Sequence, residues 1–346
     1  MNKNLKSDTT QTELIKSMVH YSDYMMKQNL KIQPKKLLKK VIREKKFVED
    51  PFFWNNGGLA FAINNYAAKD ITEWSSASVG LLLGRKQSMR MVDNTLYYYA
   101  CYDLLDEQIH DKMYKFLSTY DRDEAGSIVY RKGDSAAYLD TLGMVCPFLI
   151  RYGVENSEPE AVKLAMDQFR AFFRYGMDDA SGLPYHGYDI PKGQKCGVIG
   201  WGRGLGWMLL GMCESIRWLD EGSKEYSELE KNISTMFDKI ISYQKDDGSF
   251  SWQLQAVDGP SDSSVAGMLG YSLLKYAQVT NNVDKYSGVI SKIEKSVLNN
   301  VDASGKVTGS SAECRGFSMY PQRFESNSWG QAFCTLFLIE MMDSNE

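Results

Sequence analysis

Histidine is scarce in this sequence, and its scarcity limits the metal chemistry open to the chain. Only three histidines occur among the 346 residues, at positions 20, 110 and 186. The six cysteines form no Cys-x-x-Cys pair and lack the spacing of zinc ligands. We therefore expect no metal site and no cofactor, and we interpret the cysteines as reduced thiols of a core.

Long apolar runs and an excess of positive charge are also missing. No apolar stretch reaches the length of a membrane span, and the first residues lack the pattern of a secretory signal. The net charge of −4 gives no general attraction to nucleic acid. We expect a cytoplasmic protein, a monomer or homodimer, that binds neither nucleic acid nor a membrane.

A dense run of lysine and arginine at residues 31–46 is the local exception to this charge balance. Such a run can attract an acidic sugar or a membrane surface, or it can be a solvated face. The composition favours the solvated face.

Linkers rich in proline, glycine or serine are absent as well, which favours a single domain over residues 1–346. The chain is 43% hydrophobic and 12% aromatic, which suits a large core or a sugar-binding cleft lined with ring faces. We expect residues 1–9 to be frayed and the folded core to run from about 10 to 342.

Six segments of the chain share one pattern, although their spacing is irregular. Each opens with glycine, aspartate, asparagine, serine or tryptophan and continues into an apolar helical stretch rich in small residues. The segments begin at residues 53, 92, 137, 200, 261 and 327. Amphipathic helical patterns lie between them at 106–120, 159–175, 223–244 and 282–299, and another helical pattern at 10–31 precedes them all.

The alternation of these patterns predicts an all-α fold. Helices that are apolar all round are buried, whereas amphipathic helices have one face in water. The sequence therefore predicts an (α/α)6 barrel of six inner and six outer helices, with small β hairpins in loops near 126–130 and 248–252. A solenoid of helix pairs is the alternative, but its repeat should be regular.

Two acidic residues open neighbouring inner helices of the predicted barrel. In such a ring the inner helices point the same way, so their N-terminal ends gather at one mouth. Asp93 and Asp140 open the second and third inner helices, and we expect both to face one cavity. Two carboxyl groups there suit acid–base work on a sugar. The alternative for Asp140 is a helix cap.

The most distinctive string is 200–207, where glycines alternate with other residues. Arg203 can grip a carboxylate through two parallel hydrogen bonds, and Trp201 and Trp207 can stack on a sugar ring. A glycine-rich turn with a structural arginine is the alternative. A dinucleotide-binding motif does not fit, because its third glycine would fall on Leu205 or Trp207.

Four further residues are candidates for contact with a sugar. His186 lies among tyrosines and glycines in a loop-like segment, which favours a ligand contact over a structural role. Trp54 and Trp329 open the first and last inner helices, and Trp252 follows a tight turn that can reach the mouth. For Trp329, core packing and sugar stacking stay equally open.

Taken together, these residues resemble glycoside hydrolase families 105 and 88, the unsaturated rhamnogalacturonyl and glucuronyl hydrolases. The resemblance rests on the stretch 138–149 around Asp140, on His186 with its flanks, on the string 201–207 and on Trp329-Gly-Gln331. It covers about residues 50–342, nearly the whole chain.

The resemblance implies an (α/α)6 barrel that acts on a 4,5-unsaturated uronic acid at the non-reducing end of a short acidic oligosaccharide. It implies that Asp140 protonates the vinyl ether at C4, that water adds at C5 and that the hemiketal then opens, without metal or cofactor. Asp93 matches a second family aspartate. The positions of Tyr138, His186, Arg203 and Trp207 line the sugar subsite in the family.

The sequence departs from the family in one place that bears on activity. The family commonly has a histidine about eleven residues before the catalytic aspartate, whereas this chain has Ile-Val-Tyr-Arg at 128–131. Two other functions on the same scaffold therefore stay open. One is a different carbohydrate enzyme, such as an inverting glycosidase or an epimerase, and the other is a sugar-binding protein without catalysis.

Overall fold

The computed structural model describes residues 4–31, 50–69 and 76–343, and their regular structure is mainly α-helical. Apart from Lys31, the basic run 31–46 lies outside the described residues. Within the described ranges, six α-helices alternate with six others. The first set is α2 (Trp54–Ala68), α4 (Thr95–Ala100), α6 (Asp140–Glu155), α8 (Gly202–Ile216), α10 (Ser263–Val279) and α12 (Ser328–Asp343). The second set is α1 (Asn4–Leu30), α3 (Ala77–Leu83), α5 (Glu107–Ser118), α7 (Pro159–Tyr175), α9 (Lys224–Ile241) and α11 (Val283–Leu298).

The even-numbered helices form a closed inner ring. Each packs against the next, from α2 through α4, α6, α8 and α10 to α12, and α12 packs back on α2. Outer helices pack against this ring: α7 packs against α6, and α11 packs against α10. The predicted (α/α)6 barrel is confirmed, whereas the assignment of all 346 residues to one domain stays a prediction.

Burial separates the two sets as their sequence patterns predict. Every residue of the inner helix α8 is buried. The outer helix α5 buries only His110, Met113 and Leu117, which recur at helical spacing on one face. Among the described residues, no helix is both long and apolar enough to cross a membrane.

Two glycines let the inner helices α6 and α8 approach closely. A Cβ atom added at Gly143 would lie 2.4 Å from the carbonyl oxygen of Trp207, and one at Gly211 would lie 2.5 Å from that of Leu142. Any larger residue would force the helices apart. This contact fixes the N-terminal end of α6, where Asp140 lies, against the helix that carries Arg203 and Trp207.

Several element boundaries differ from the predicted ones. Helix α1 begins at Asn4, so the helix extends into the stretch 1–9 that the polar composition predicts to be frayed. The second inner helix ends at Ala100 and is followed by the 3-10 turn Tyr102–Leu104, although the apolar pattern continues to Leu105.

The small strands lie in other loops than the sequence predicts. An antiparallel sheet joins β1 (Ala136–Tyr138), β2 (Gly187–Asp189) and β3 (Gln194–Cys196), and β4 (Ser310–Ser311) pairs with β5 (Phe324–Glu325). The segments 126–130 and 248–252 contain only isolated bridges. Short strands depend on distant partners, which local sequence does not reveal.

Candidate active site

The N-terminal ends of the inner helices meet at one mouth, as the sequence predicts. The ring of Trp54, the first residue of α2, lies 5.9 Å from that of Trp207 in α8 and 5.1 Å from that of Trp329 in α12. A cavity of about 90 Å³ opens here, room for several water molecules and so of the order of one sugar ring. Six of the nine predicted site residues line it: Trp54, Tyr138, Asp140, His186, Arg203 and Trp207.

Strand pairing brings Asp140 and His186 together. Tyr138 of β1 lies opposite Gly187 of β2, and the Leu139 N–H donates to the His186 carbonyl at 2.9 Å. A side chain at Gly187 would have its Cβ atom 2.3 Å from the Ala137 carbonyl oxygen, so only glycine permits this pairing. The first residue of α6 therefore lies beside the histidine.

A chain of three polar side chains leads from the cavity into the wall. The Nε2 atom of His186 lies 2.9 Å from Oδ2 of Asp140, and its Nδ1 atom lies 2.6 Å from the Tyr320 hydroxyl. That hydroxyl accepts the Val198 N–H at 3.3 Å, and its own proton is free to donate to Nδ1; we adopt this arrangement. His186 then carries its proton on Nε2 and donates to Asp140.

These hydrogen bonds engage one carboxyl oxygen of Asp140 and leave the other available for chemistry. The His186 side chain is 1% exposed and that of Asp140 is 13% exposed. Within the described part of the chain, Oδ1 of Asp140 makes no hydrogen bond, whereas Oδ2 accepts from the imidazole. A carboxyl group in this setting can donate a proton from Oδ1 into the cavity while His186 orients it.

Arg203 lines the cavity, and most of its hydrogen-bond donors bind the neighbouring segment of the wall. Its Nη1 donates to the carbonyl and hydroxyl of Ser311 at 3.1 and 2.6 Å, and its Nη2 donates to the Ala312 carbonyl at 3.0 Å. Its Nη1 also lies 3.8 Å from Oδ2 of Asp262. Three of the five guanidinium N–H groups are thus engaged. Arg203 anchors the β4 loop, and its remaining donors are available to an anion.

Asp93 does not line the cavity, contrary to the expectation that it would face the cavity with Asp140. It lies in the 3-10 turn Val92–Asn94 before α4 and is fully buried. Tyr130, which does line the cavity, donates its hydroxyl to Oδ2 of Asp93 at 3.0 Å. Burial raises the pKa of Asp93 to about 7, and the Tyr130 hydrogen bond only partly opposes that rise.

Two predicted tryptophans lie outside the cavity wall. The Trp329 indole N–H donates to the Ser311 carbonyl at 3.0 Å, and its ring packs on Trp54. Trp252 lines a neighbouring cleft beside Trp201 and Tyr320. Trp329 therefore packs with Trp54 in the core, which was one of the two alternatives, and Trp252 lies next to the cavity without entering it.

Sequence reasoning misses several residues of the wall. Tyr130 and Arg131 come from the loop before β1, whereas Glu313 and Cys314 come from the long loop between β4 and β5. Tyr320 belongs to the same β4–β5 loop. These segments have no helical period and no motif, so only their long-range pairing could reveal them.

Thiolate and metal chemistry find little support at this site. Burial raises the pKa of Cys314 to about 12, so its thiol stays protonated at neutral pH and is a poor nucleophile. Across residues 4–31, 50–69 and 76–343, no group of three histidine, cysteine, aspartate or glutamate side chains could hold a metal ion. The arrangement is equipped for proton transfer and hydrogen bonding.

The sequence matches a known family over most of its length. The model of Glycosyl Hydrolase Family 88 matches residues 85–344. The chain belongs to this family. By its description, the matched model represents a family of glycosyl hydrolases.

Similar proteins agree with the family assignment. The "24.9 kDa protein in picA locus" of Rhizobium radiobacter is 30% identical over 147 residues, which are 39% of this chain and 62% of that protein. A curated protein of Agrobacterium fabrum matches with the same values. The match thus spans less than two thirds of either relative.

Solved structures share the fold of this family 88 protein. A possible GH105 family member from Klebsiella pneumoniae has a TM-score of 0.82 at 17% identity, with coverage of 98% of this chain and 94% of that one. The unsaturated glucuronyl hydrolase of Bacillus sp. GL1 has a TM-score of 0.66 at 17% identity, with coverage of 96% and 97%. At such identities the likeness concerns the fold.

Proposed function

We propose that this protein hydrolyses short acidic oligosaccharides that end in a 4,5-unsaturated uronic acid. The observation that carries the proposal is the Asp140–His186 pair at 2.9 Å inside a cavity with aromatic walls. One carboxyl oxygen is held by the imidazole, and the other is directed at the space that a sugar ring would occupy. A single acid held in this way is what hydration of a vinyl ether requires.

The proposed reaction uses Asp140 first as an acid and then as a base. Its Oδ1 proton adds to C4 of the C4=C5 double bond, and the ring oxygen shares the positive charge that develops at C5. Water attacks C5 while the Asp140 carboxylate takes up the proton that the water loses. The C5 hemiketal opens to a ketone, and the hemiacetal formed at C1 releases the neighbouring sugar as an alcohol.

The charges of the cavity support an acidic substrate. The guanidinium of Arg131 lies at the wall, is exposed and has no hydrogen-bond or ion-pair partner among the described residues. The remaining donors of Arg203 lie deeper in the wall. Arg131 and Arg203 can pair with the uronate carboxylate, although Glu313 in the same wall opposes this charge, and the rings of Trp54 and Trp207 can pack on the sugar faces.

An inverting glycosidase is the weaker candidate. That mechanism needs two carboxyl groups facing each other across a water, roughly 6.5–9.5 Å apart. The second predicted carboxyl belongs to Asp93, which is fully buried behind Tyr130. The predicted pair of Asp93 and Asp140 therefore does not face the cavity, and the other carboxyl group of the wall, Glu313, is under the positive charges of Arg203, Arg315 and Arg131. We favour hydration of an unsaturated sugar, because it needs only the one acid that Asp140 provides.

Loss of ultraviolet absorbance tests the proposal directly, because hydration destroys the conjugation between the C4=C5 bond and the carboxylate. We expect the protein to bleach unsaturated disaccharides of the glucuronyl or rhamnogalacturonyl type. The matched saturated glycosides serve as the control and should stay intact. Release of sugar from the saturated glycosides, or no bleaching with any unsaturated substrate, would contradict the proposal.

A further inference from the structure

Asp93 is a buried carboxyl group whose only route to the cavity is a tyrosine. It is fully buried, and its Oδ1 atom has no hydrogen-bond partner within the described residues. Its Oδ2 atom accepts the Tyr130 hydroxyl at 3.0 Å. A buried, half-satisfied carboxyl group is costly to the fold and calls for an explanation, of which a role at a functional site is one.

Tyr130 lies between this carboxyl group and the place where a sugar would bind. It lines the same cavity as Asp140, and its ring centroid lies 5.1 Å from that of Tyr138. It also belongs to the segment 128–131, where the resemblance implies a histidine and this chain has none. A hydroxyl in this position can reach a ligand, whereas the carboxyl group behind it cannot.

Building on the proposed function, we propose that the Tyr130 hydroxyl is the group that touches the substrate, and that Asp93 is a positioning residue that acts through it. The proposal assigns Asp93 no direct contact with substrate. It instead makes Asp93 determine whether Tyr130 offers the cavity a hydrogen-bond donor or an acceptor.

The direction of the hydrogen bond follows from the charge on Asp93. An ionised carboxylate can only accept, so the Tyr130 proton points at Oδ2 and the cavity meets the phenol lone pair. A protonated carboxyl group can donate to the phenol oxygen, which frees the Tyr130 proton to point into the cavity. One proton on Asp93 thus reverses the polarity that Tyr130 presents to a ligand.

Burial and the surrounding groups set the pKa of Asp93, and therefore the pH of this reversal, near neutrality. Burial raises the pKa of Asp93 to about 7, and the effects of Tyr130, Asp50 and Arg131 follow in that order. Asp93 in turn acts on Tyr120. On the cavity side, the charge of Asp140 acts on Tyr130, whereas the nearby Cys314 thiol is neutral in this pH range. Both states of the Asp93–Tyr130 pair are therefore populated within about one pH unit of neutrality.

A double-mutant cycle with Tyr130→Phe and Asp93→Asn tests the coupling. We expect Tyr130→Phe to lower kcat/KM roughly 10- to 100-fold, the loss for one strong hydrogen bond. Adding Asp93→Asn to Tyr130→Phe should change kcat/KM by less than about twofold, because the carboxyl group then has nothing to act through. The limb of the pH profile near 7 should disappear in either single variant.

A carboxyl titration by NMR, with labelled aspartate, gives a readout that does not need activity. Wild type should show a carboxyl midpoint near 7 that is absent in Asp93→Asn. In Tyr130→Phe the midpoint should move upward, since the lost hydrogen bond favoured the ionised form. Tyr152→Phe is the matched control, because it removes a tyrosine–aspartate hydrogen bond of 2.8 Å, to Asp111, outside the cavity.

The outcomes separate this proposal from the proposed function. Losses that multiply in the double variant, or a midpoint that does not move in Tyr130→Phe, would overturn the coupling. A wild type that leaves every unsaturated substrate intact would overturn the proposed function, and the carboxyl titration would then decide the coupling alone.

Discussion

The two ends of the inner ring both contain buried charge, but they differ in how completely it is paired. Near the C-terminal end of α8, Glu214 is fully buried and accepts hydrogen bonds from Tyr99, from Tyr271 at 2.6 Å and from Arg217 at 3.1 Å. Burial alone would raise its pKa, but the charges of Arg217 and Lys275 and these hydrogen bonds outweigh it and lower the pKa. The Glu214 carboxylate is thus fully paired without a ligand.

At the N-terminal mouth the pairing is incomplete. Oδ1 of Asp93 is buried without a partner, and Oδ1 of Asp140 and the Arg131 guanidinium make no hydrogen bond within the described residues. Polar groups left open in this way indicate a binding site, whereas paired ones indicate structure. Substitutions at the mouth should therefore change activity, and substitutions at the base should change stability.

The largest effect is expected from Asp140→Asn. The amide oxygen can still accept from His186, but the side chain can no longer deliver a proton, so kcat should fall roughly 10³- to 10⁴-fold. The assay is the bleaching of an unsaturated disaccharide. Urea unfolding is the control, and it should show a change of less than about 1 kcal/mol. A variant that kept its activity would remove Asp140 from the mechanism.

A pH-dependent loss of stability is expected from Asp93. Its pKa is raised from 3.8 to about 7, so between these values the unfolded chain releases a proton that the folded chain keeps. The free energy of unfolding should therefore fall as the pH rises from about 4 to 7, by up to about 4 kcal/mol, and then level off.

Urea unfolding of wild type and Asp93→Asn at pH 4, 5.5, 7 and 8 measures this loss. The difference between the two proteins should shift in favour of Asp93→Asn as the pH rises. Parallel stability curves would mean that Asp93 titrates normally and would remove the physical basis of its coupling to Tyr130.

At the opposite end of the ring, Glu214→Gln should reduce stability rather than activity. It leaves Arg217 without its countercharge and weakens two tyrosine hydrogen bonds. We expect a loss of about 3 kcal/mol, near the lower end for a broken buried pair, since the Arg217 side chain keeps 35% exposure. Activity per folded molecule should match wild type, and a selective loss of kcat would blur the distinction between the two ends.

The smallest effect is expected from Tyr320→Phe. Without the phenol proton on Nδ1, His186 is free to carry its own proton there, and Nε2 then no longer donates to Asp140. We expect kcat to fall about tenfold, equivalent to about 1.4 kcal/mol, with little change in KM. Nitrogen NMR of His186 should show the change of tautomer, and an unchanged tautomer would assign Tyr320 a packing role only.

The sequence predicts the site residues that lie at or near the N-terminal ends of the inner helices. Trp54, Asp140 and Trp207 belong to segments whose period marks them as inner helices, so their convergence follows from the ring. Asp93 shares that position in the pattern, yet it lies in a 3-10 turn and is buried. Helical periodicity does not give the direction of a side chain in such a turn.

Helical periodicity cannot predict the residues that reach the cavity from loops. Tyr320 contacts His186 across 134 positions of the chain, and Arg203 reaches Ser311 across 108. These contacts form only once the ring is closed and the β4–β5 loop folds over it. The local sequence therefore does not predict either of these long-range contacts.

The β4–β5 loop supplies much of the cavity wall but belongs to neither set of helices. Arg203 and Trp329 attach its start to the ring through the Ser311 carbonyl, and Tyr320 attaches a later part to His186. Such an insertion is an exchangeable module. Evolution, or an engineer, could alter which sugars are accepted by replacing the cavity-lining part of this segment, provided that the Tyr320 contact to His186 is kept.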